Sequence, residues 1–462
     1  MNSFYNPLFL LKVLKSYFFD IDRLDNIHED ELNRFRDKQL RRVLRFADTV
    51  PLYHNLYKKQ GIRIEEIKGI EDIEKLPIIT KENFAGQSPS DLITRSSNIE
   101  NFIKVSTSGT TGKSLSLYVT MYEIILGLFG YLRTIRAYDL SWRKHKLSII
   151  ADFAPHTAET GYVRRGIIPQ TWFRSIYDHI QWLDTNDKPE AVMDKLEKFQ
   201  PDFIGGYTGM LGHLAVLKHL GAGPHVSPKY IASTGALLDS HLKSFIEKTF
   251  DATVYEVYGA TESGPIAYQC KKQSIYHVLS DFLHIEYADP QGNPVASKQP
   301  GKLIVTKLYS GGTPIIRYNA INDVVAPLYE THDCSYPGGY IHRIYGRDNI
   351  RLYRKDGYIV LASSLTEIFS RLLYELHTSK VRDMKVIQKD LDNIEISLVI
   401  DENLKDIPPT VEEISSVFQD GFTKKFGDSV TISIKEIKKV TRKEPRILSD
   451  VDPDQLTIKG FK

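Results

Sequence analysis

A run of small hydroxyl and glycine residues, STSGTTGKS (106–114), has the composition of a phosphate-binding loop. A Walker loop would need its first glycine at the position of Thr107, and it would continue into a helix. The residues after Ser114 instead alternate apolar and polar, which is the period of a half-buried strand. We therefore predict a strand, a flexible loop and a second strand. The glycines, the hydroxyls and Lys113 can still bind polyphosphate oxygens, and an ordinary hairpin is the alternative.

Three further stretches carry side chains suited to nucleotide chemistry. The sequence TVYEVYGATESG places Tyr258-Gly259-Ala260-Thr261-Glu262 at the end of a predicted strand. Asp323 follows a Pro-Ile-Ile-Arg-Tyr run, and Gly346-Arg347-Asp348 lies in IYGRDN. Each has an ordinary explanation, because a Tyr-Gly pair at a strand end is usually a turn and a loop aspartate is usually a solvated cap. With the first loop, they make an ordered set of four candidate stretches.

The elements that must position these residues follow from the pattern. Between residues 146 and 259, strand patterns such as DFIGGY (202–207) alternate with helical ones, which predicts a parallel sheet whose ligands lie beyond the carboxyl ends of its strands. The pattern is mainly β after residue 265 and changes again after IYGRDN. The predicted fold is α/β: a large N-terminal domain with mixed, mainly parallel sheets and a β-rich subdomain, then a small mobile α+β C-terminal domain. We place the domains at 1–346 and 347–462, with the hinge near Arg347-Asp348.

Composition limits the classes of function. The chain has 462 residues, of which 42% are hydrophobic and 26% charged, as in globular proteins of two or three domains. Lys and Arg number 60 against 58 Asp and Glu, so overall charge gives no case for nucleic-acid binding. Two cysteines cannot build a disulfide framework and favour a reducing cytoplasm. Since no apolar stretch reaches the length of a membrane span, we expect no transmembrane segment and a cytoplasmic location.

The N-terminal stretch MNSFYNPLFLLKVLKSYFFD is apolar and aromatic but is interrupted by Lys12 and Lys15. It lacks a basic start and a small-residue cleavage site, so it does not match a signal peptide. A helix through it would align Leu10, Leu11, Leu14, Tyr17 and Phe18 on one face. We expect this face to pack on its own domain or on a partner. A helix lying on a membrane surface is the alternative, and homodimer formation stays open.

The ordered motifs carry a resemblance. The chain resembles the adenylate-forming (AMP-forming) ligase superfamily in four motifs that follow the same order: a Gly/Ser/Thr loop, Tyr-Gly-x-Thr-Glu, Arg-Tyr…Asp and Gly-Arg. More narrowly the chain resembles its phenylacetate–CoA ligase-like branch, which includes capsule-biosynthesis homologues. VPLYHNLYKKQGI (50–62) and EKLPIITKENF (74–84) are similar to the N-terminal half of that branch. The resemblance covers about residues 35–350 and continues weakly to the end. Each motif alone is unspecific, whereas four in order are typical of the family.

The resemblance implies roles for these residues in activating a carboxylate with ATP, a reaction that requires positioning and charge neutralisation. The residues that would hold the β- and γ-phosphates are Thr107, Ser108, Gly109, Thr110, Thr111, Gly112 and Lys113. The other residues that would contact the nucleotide are Gly235, Ala236, Tyr258, Gly259, Asp323 and Arg347. Tyr258 would lie against adenine, and Asp323 would accept both ribose hydroxyls. Thr261 would donate to the α-phosphate, and Glu262 would ligate Mg²⁺, which prefers carboxylate and phosphate oxygens.

The resemblance also implies an acyl pocket and a catalytic lysine. The pocket residues would be Phe153, Tyr207, Thr208 and Gly209. In the superfamily a lysine near the C-terminus contacts the reacting groups during adenylation and leaves when the small domain rotates. Matching RILSDV to the family's closing strand places Lys443 at that position, with Arg442 where glycine is expected. The alternative is that Lys443 is one more exposed cation beside Lys438 and Lys439.

This chain departs from the branch in its nucleotide contacts. The branch usually has an acidic residue in the adenine-side turn, where this chain has Ala236 and Leu237. Its Arg-Tyr run usually reaches the aspartate through a glycine, where this chain has Asn322 and one extra residue. The phosphate contacts are therefore better supported by the sequence than the adenine and ribose contacts.

Some relatives in the branch carry a structural zinc ion, and this chain has a matching set of side chains. The candidate ligands are Cys270, His277, His332 and Cys334. Two cysteines and two histidines suit tetrahedral zinc. The family's later pair is normally two cysteines, so His332 would have to substitute for one of them. The alternative is two buried cysteines and two ordinary histidines.

The resemblance implies an enzyme: an ATP- and Mg²⁺-dependent carboxylate ligase that makes an acyl-adenylate and transfers the acyl group to coenzyme A. An amine or hydroxyl of a surface-polysaccharide precursor is an alternative acceptor. A non-catalytic nucleotide-binding homologue is the third hypothesis, which the departures above favour. The retained residues that oppose it are Lys113, Thr261, Glu262, Asp323 and Arg347. The expected partners are therefore a small-molecule carboxylate, ATP and an acyl acceptor. The sequence does not identify the acid.

Overall fold

The computed structural model describes residues 3–106, 115–155, 157, 178–330, 334, 336–378, 380–440 and 445–462. The chain begins with short helices that pack on the large domain. They are α1 (Pro7–Phe19), α2 (Arg23–Asn26), α3 (Glu29–Ala47), α4 (Pro51–Lys59) and α5 (Lys81–Phe84). Asn6 caps α1 by accepting hydrogen bonds from the backbone N–H groups of Leu8 and Phe9. No helix within the described ranges is long and apolar enough to cross a membrane.

The first motif is framed by two strands, as the alternation after Ser114 predicts. β1 (Ile103–Ser106) and β2 (Ser116–Val119) pair antiparallel, with Ser106 opposite Ser116. Residues 107–114 themselves lie outside the described residues. The helix α6 (Met121–Ala137) follows β2 at once and begins with a capping box between Thr120 and Glu123. The glycine-rich segment therefore connects the two strands of a hairpin, whereas a Walker loop leads directly into a helix.

The central part is the predicted parallel sheet. Its strands are β3 (Leu147–Ala151), β4 (Ile180–Asp184), β5 (Phe203–Tyr207), β6 (Tyr230–Thr234) and β7 (Thr253–Ala260). Its helices are α7 (Pro189–Phe199), α8 (Thr208–His219) and α9 (Ser240–Phe250). Neighbouring side chains of β5 enter different cores: Ile204 packs with α7–α9, whereas Phe203 packs with α6 and α1. Burial of both faces explains the nearly continuous apolar sequence of these strands.

Beyond β7 the same sheet becomes antiparallel. The strands are β8 (Gly264–Gln269), β9 (Tyr276–Val278), β10 (Leu283–Ala288), β11 (Gly301–Lys307), β12 (Asp323–Leu328) and β13 (Tyr340–Arg347). The order across the sheet is β10-β11-β12-β13-β9-β8-β7-β6-β5-β3-β4. β7 pairs parallel with β6 and antiparallel with β8, so the Tyr-Gly-Ala-Thr-Glu motif ends the strand at which the two halves meet.

The C-terminal residues form a separate, smaller α+β domain. A three-stranded sheet joins β14 (Arg351–Tyr353), β15 (Tyr358–Leu361) and, from the end of the chain, β20 (Gly460–Phe461). The other elements are α10 (Thr366–Tyr374), β16 (Val381–Gln388), β17 (Asn393–Ile400), α11 (Val411–Phe426), β18 (Thr431–Glu436) and β19 (Ile447–Ser449). A second sheet has the order β18-β17-β16-β19 and packs on α10 and α11. The predicted α/β class with a separate, smaller C-terminal domain is confirmed, and the large sheet is mixed, because its antiparallel half is as extensive as its parallel half.

The predicted apolar face of the N-terminal helix is wrong. Leu10 and Tyr17 pack on the core beside α6 together with Phe9 and Val13. Leu11 and Phe18 point away from it, each 65% exposed. The helix is apolar nearly all round, so its periodicity could not decide which face would be buried. Packing on its own domain is confirmed for one face only.

Candidate nucleotide-binding site

The predicted residues gather at one edge of the large sheet. The carboxyl ends of β5, β6 and β7 lie side by side, and Tyr207 is the direct neighbour of Thr234 in the register. Gly235 follows β6, and Thr261 and Glu262 follow β7. Ligands of parallel sheets bind beyond this edge, because loops leave the strands there and helices begin there. The fold therefore brings together residues from three motifs that are far apart in sequence.

Two glycines keep this edge open. Gly235 has φ +82°, and a Cβ atom on it would lie 2.3 Å from the Cδ1 atom of the Tyr207 ring. A Cβ atom on Gly259 would lie 2.9 Å from the carbonyl oxygen of Gly264. A side chain at either position would clash with its neighbours, so the backbone of both turns is available only to glycine. The turn at 235–237 has no acidic side chain, as the sequence indicated.

Tyr258, Asp323 and Arg347 form one polar cluster. Asp323 begins β12 and is directly opposite Arg347, the last residue of β13. The Tyr258 hydroxyl donates to Oδ2 of Asp323 at 2.6 Å, and the Arg347 Nε atom lies 3.8 Å from Oδ1. Burial raises the pKa of Asp323, while the Tyr258 hydrogen bond and Arg347 oppose that rise. The carboxylate is thereby held in place at the sheet edge.

Glu262 is a buried carboxyl group beside this cluster. Its residue is only 9% exposed, whereas the adjacent Thr261 is exposed. Burial raises the pKa of Glu262, and the charges of Arg347 and Lys81 act in the opposite direction. An ionised carboxylate loses hydration when it is buried, and the charges of Arg347 and Lys81 offset only part of that free-energy cost. A bound hard metal ion would offset more of it, so the site suits Mg²⁺.

The unusual Asn322 fits the backbone that carries Asp323. Its φ is +60°, in the left-handed region that glycine occupies at no cost and that asparagine tolerates better than most residues. Its carbonyl oxygen accepts a hydrogen bond from the Asp348 N–H at 2.7 Å. Asn322 therefore holds a backbone conformation that glycine also adopts, directly before Asp323.

The hairpin of the first motif is tied to the segment that precedes Arg317. The Thr313 N–H donates to the Tyr118 carbonyl at 2.7 Å, and the Tyr118 N–H donates to the Thr313 hydroxyl at 3.1 Å. A Cβ atom on Gly312 would lie 1.9 Å from that same carbonyl oxygen, so this approach requires glycine. At the base of the hairpin, buried Lys307 lies 3.5 Å from Glu123. These contacts tie β2, and with it the hairpin, to the large sheet.

The predicted acyl-pocket residues lie on the neighbouring strand ends. Phe153 follows β3 and makes an edge contact with Trp182, with ring centroids 6.5 Å apart. Tyr207 and Thr208 join β5 to α8, and a Cβ atom on Gly209 would meet open space. The Thr208 hydroxyl contacts that of Ser233 at 2.8 Å and donates to the Ala236 carbonyl at 3.0 Å. The turn after β5 and the turn after β6 are therefore linked through a single threonine.

A second cluster, away from the strand ends, contains cysteine and histidine. Cys270 and Cys334 have their sulfur atoms 4.0 Å apart, and the Cys334 sulfur lies 3.5 Å from Nε2 of His277. All three ligand atoms lie within 4.8 Å of one another. Burial and the neighbouring Cys270 raise the pKa of the Cys334 thiol. A sulfur–sulfur distance of this size suits two thiolates on one tetrahedral zinc ion, at about 2.3 Å per Zn–S bond.

Several predicted residues cannot be placed. Thr107 to Lys113, His332 and Lys443 all lie outside the described residues. The fourth zinc ligand and the catalytic lysine are therefore predictions from sequence alone.

Two residues near Glu262 were not identified from the sequence. Lys81 is the first residue of α5, and its charge acts on the Glu262 carboxyl group. Buried Tyr318 is also close, since the carboxylate of Glu262, after burial, raises the pKa of that phenol. The sequence offers only a lysine after a possible N-cap and a tyrosine in an apolar run, and neither signal indicates proximity to Glu262.

Comparison with known proteins confirms the family resemblance. Residues 352–445 match the family model of the CapK C-terminal domain. Protein CapK of Staphylococcus aureus is 25% identical over 399 residues, which cover 84% of this chain and 82% of CapK. Phenylacetate–coenzyme A ligase of Escherichia coli (strain K12) is 24% identical over 313 residues, which cover 64% of this chain and 68% of the ligase.

The fold is similar to that of a solved coenzyme A ligase. A crystal structure of 2-hydroxyisobutyryl-CoA ligase, in the postadenylation state with R3-HIB-AMP, superposes with a TM-score of 0.70. It is 16% identical to this chain, and the match covers 90% of both chains. An open conformation of the same ligase, with 2-HIB-AMP and CoA, gives a TM-score of 0.63.

Proposed function

We propose that this chain, as a member of the phenylacetate–CoA ligase-like branch of the adenylate-forming ligases, joins a carboxylic acid to coenzyme A at the expense of ATP. The observation that carries the proposal is the cluster of Tyr258, Asp323 and Arg347 beside buried Glu262, at the carboxyl edge of the sheet. This cluster provides acceptors for a ribose, a flat aromatic ring for a base and a carboxylate for a metal ion, all at one edge.

The proposed first step is adenylation. A carboxylate oxygen of the acid attacks the α-phosphorus of ATP, the bond to the β-phosphate oxygen breaks, and pyrophosphate leaves. Asp323, oriented by Tyr258, would hold the ribose hydroxyls, and Thr261 would donate to the α-phosphate. Glu262 would hold Mg²⁺, which neutralises phosphate charge when bound. The loop from Thr107 to Lys113 would hold the other two phosphates, supported at both ends by β1 and β2.

The second step is acyl transfer, for which the small domain is proposed to rotate about Arg347-Asp348. Asp348 is suited to a pivot, because its buried carboxylate accepts from Arg351 at 2.5 Å and lies 2.9 Å from the Lys302 ammonium. In the present arrangement α10 contacts α9: the Ser370 hydroxyl donates to Asp239 at 2.5 Å. Rotation would have to break this contact. The proposed domains remain 1–346 and 347–462, with the hinge at Arg347-Asp348.

The acceptor has one alternative with specific support. In this proposal the small domain takes part in acyl transfer. Residues 352–445 of that domain match the C-terminal domain of CapK, whose name specifies no acyl acceptor. An amine or hydroxyl of a surface-polysaccharide precursor, expected from the resemblance to capsule-biosynthesis homologues, therefore stays as the alternative to coenzyme A. Both acceptors use the same acyl-adenylate, and the proposed location is the cytoplasm in either case.

The proposal predicts ATP–pyrophosphate exchange that depends on both Mg²⁺ and a carboxylic acid. The purified chain, ATP and labelled pyrophosphate would be incubated with aromatic acids and small hydroxy and amino acids in turn. We expect one class of acid to raise the rate of label entering ATP well above the acid-free rate. Adding coenzyme A, or an amine or hydroxyl acceptor, to the active mixture then identifies the acceptor by product mass. ATP binding without exchange for any acid would favour a non-catalytic homologue instead.

We also propose that Cys270, His277 and Cys334 hold a structural zinc ion, with His332 as the predicted fourth ligand. The distances among the three described ligands support this assignment. The role would be structural, because the cluster links the β8–β9 connection to the segment before β13. The two cysteines that it joins are 64 positions apart in the sequence.

The zinc proposal predicts about one zinc ion per chain in protein purified without a histidine tag. Cys270→Ser should remove most of this metal and lower the thermal unfolding temperature, since the bound ion stabilises only the folded chain. Ser280→Ala, a buried residue of the same region, is the matched control and should keep the metal. Metal content far below one ion per chain that Cys270→Ser leaves unchanged would refute the site.

A further inference from the structure

The outer face of the N-terminal helix α1 is a concentrated apolar surface. The exposed large apolar side chains of this helix, together with Tyr5 from the 3-10 turn just before it, are called the α1 face: Tyr5, Leu8, Leu11, Leu14, Phe18 and Phe19. Leu8 is 77% exposed and Phe19 is 68% exposed. Elsewhere on the described surface, exposed large apolar residues occur singly or in pairs one helical turn apart, such as Val216 with Leu220. Six such residues within one short segment form a contiguous patch, which is typical of a surface that contacts something else.

The α1 face is presented by a helix that is firmly fixed from behind. The Ser16 hydroxyl lies 2.7 Å from the Tyr122 hydroxyl of α6, and the Arg136 guanidinium donates to the Tyr17 hydroxyl at 3.2 Å. The Tyr17 ring also makes an edge contact with Phe129, with centroids 5.9 Å apart. Because its inner face is packed and hydrogen-bonded, α1 cannot rotate to bury its outer face in the core of the same chain.

The charged side chains of α1 itself have one sign. Between Ser3 and Phe19 the sequence contains no acidic residue, and its cations are Lys12 and Lys15. Lys15 lies among the exposed apolar residues, and none of the ion pairs in the described part of the chain engages it. The exposed Arg143 extends the positive charge, with its guanidinium carbon 5.7 Å from the centre of the Tyr17 ring. The first acidic residue after the helix, Asp20, is already paired with Arg23.

We propose that the α1 face docks on the surface of an anionic lipid bilayer. The leucine and phenylalanine side chains would enter the boundary between headgroups and acyl chains, and the Lys15 and Arg143 cations would reach lipid phosphates. A second copy of the chain fits less well. A symmetric contact through this face would bury Lys15 of both copies, and neither α1 helix carries a carboxylate to pair with them.

Vesicle flotation of the full-length protein tests the proposal. Vesicles of phosphatidylcholine with phosphatidylglycerol should carry the protein to the top of the gradient, and vesicles of phosphatidylcholine alone should carry much less. The double variant Leu11→Glu/Phe18→Glu should lose flotation on both. Lys15→Glu should weaken binding to the anionic vesicles by roughly tenfold and leave the weak binding to neutral vesicles nearly unchanged.

The control is Leu220→Glu, which places the same charge at a residue that is 76% exposed on another surface and should float like the wild type. All substituted side chains are exposed, so thermal unfolding should stay near that of the wild type. Equal flotation of the wild type and the double variant would overturn the proposal. A lipid-free dimer in sedimentation, converted to monomer by the double variant, would overturn it too, because the face would then join two chains.

Discussion

Replacing Glu262 with glutamine should abolish Mg²⁺-dependent ATP–pyrophosphate exchange while leaving the fold intact. Glutamine keeps the size of the side chain but removes the negative charge that a hard cation requires. Without the metal, charge on the phosphates is not neutralised as the α–β bond breaks, and a loss of at least about 100-fold, or about 2.7 kcal/mol of transition-state stabilisation, is expected. The measurement is the exchange rate with the acid found active in the panel.

The same substitution should not destabilise the protein, which separates a role in metal binding from a role in folding. Burial raises the pKa of Glu262 in the folded chain above its value in the unfolded chain. For such a carboxyl group, ionisation at neutral pH costs folding free energy, and that cost disappears below the unfolded pKa. In metal-free buffer at neutral pH, Glu262→Gln should therefore unfold at the wild-type temperature or higher.

The matched control is Glu256→Gln on β7, the strand that Glu262 follows. Burial also raises the pKa of Glu256, which is half-buried, but this residue contacts the hydroxyl of Tyr276 and not the strand end. Glutamine can accept the same hydrogen bond, so exchange should persist in this variant. Exchange at the wild-type rate in Glu262→Gln would remove Glu262 from the proposed metal site. Loss of exchange in both variants, with lowered unfolding temperatures, would assign the effect to folding.

The sequence identified most of the local elements because each carries a strong local signal. The buried runs in β5 and β6 and the helical patterns between them required a parallel sheet, and the change near residue 265 marked the start of the antiparallel half. The motif that ends with Glu262 was correctly placed at a strand end. Asn322 departs from the glycine that the resemblance implies, and its positive φ is one that glycine also adopts.

Local sequence patterns do not determine which strands pair when they are far apart in the chain. β13 pairs with β9 across more than sixty residues of chain, and this pairing brings Cys334 toward Cys270 and His277. Lys81 acts on Glu262 from a short helix, α5, that no local pattern places near the strand ends. The exposed face of α1 was also not predictable, since a helix with apolar residues on all sides gives no sign of which side has a partner within the chain.

Lys443 is proposed as the lysine that acts only during adenylation. It lies outside the described residues, but both sides of its segment belong to the small domain: β18 ends at Glu436 and β19 begins at Ile447. Just before β19, the Arg446 guanidinium donates to both carboxylate oxygens of Asp383 at 2.8 Å, and β19 pairs with β16. The residues on both sides of Lys443 are therefore anchored to the small domain and would move with it.

Lys443→Ala should slow adenylate formation by orders of magnitude, because the cation would neutralise charge that develops on the α-phosphate in that step alone. Transfer of the acyl group from supplied acyl-adenylate should stay near the wild-type rate, since the rotated domain would have removed the lysine by then. Lys439→Ala removes an exposed cation from the same segment and should affect neither step. Measuring both half-reactions in both variants separates the two explanations of the basic run. If Lys443→Ala forms adenylate at the wild-type rate, Lys443 is surface charge and another group must neutralise the α-phosphate.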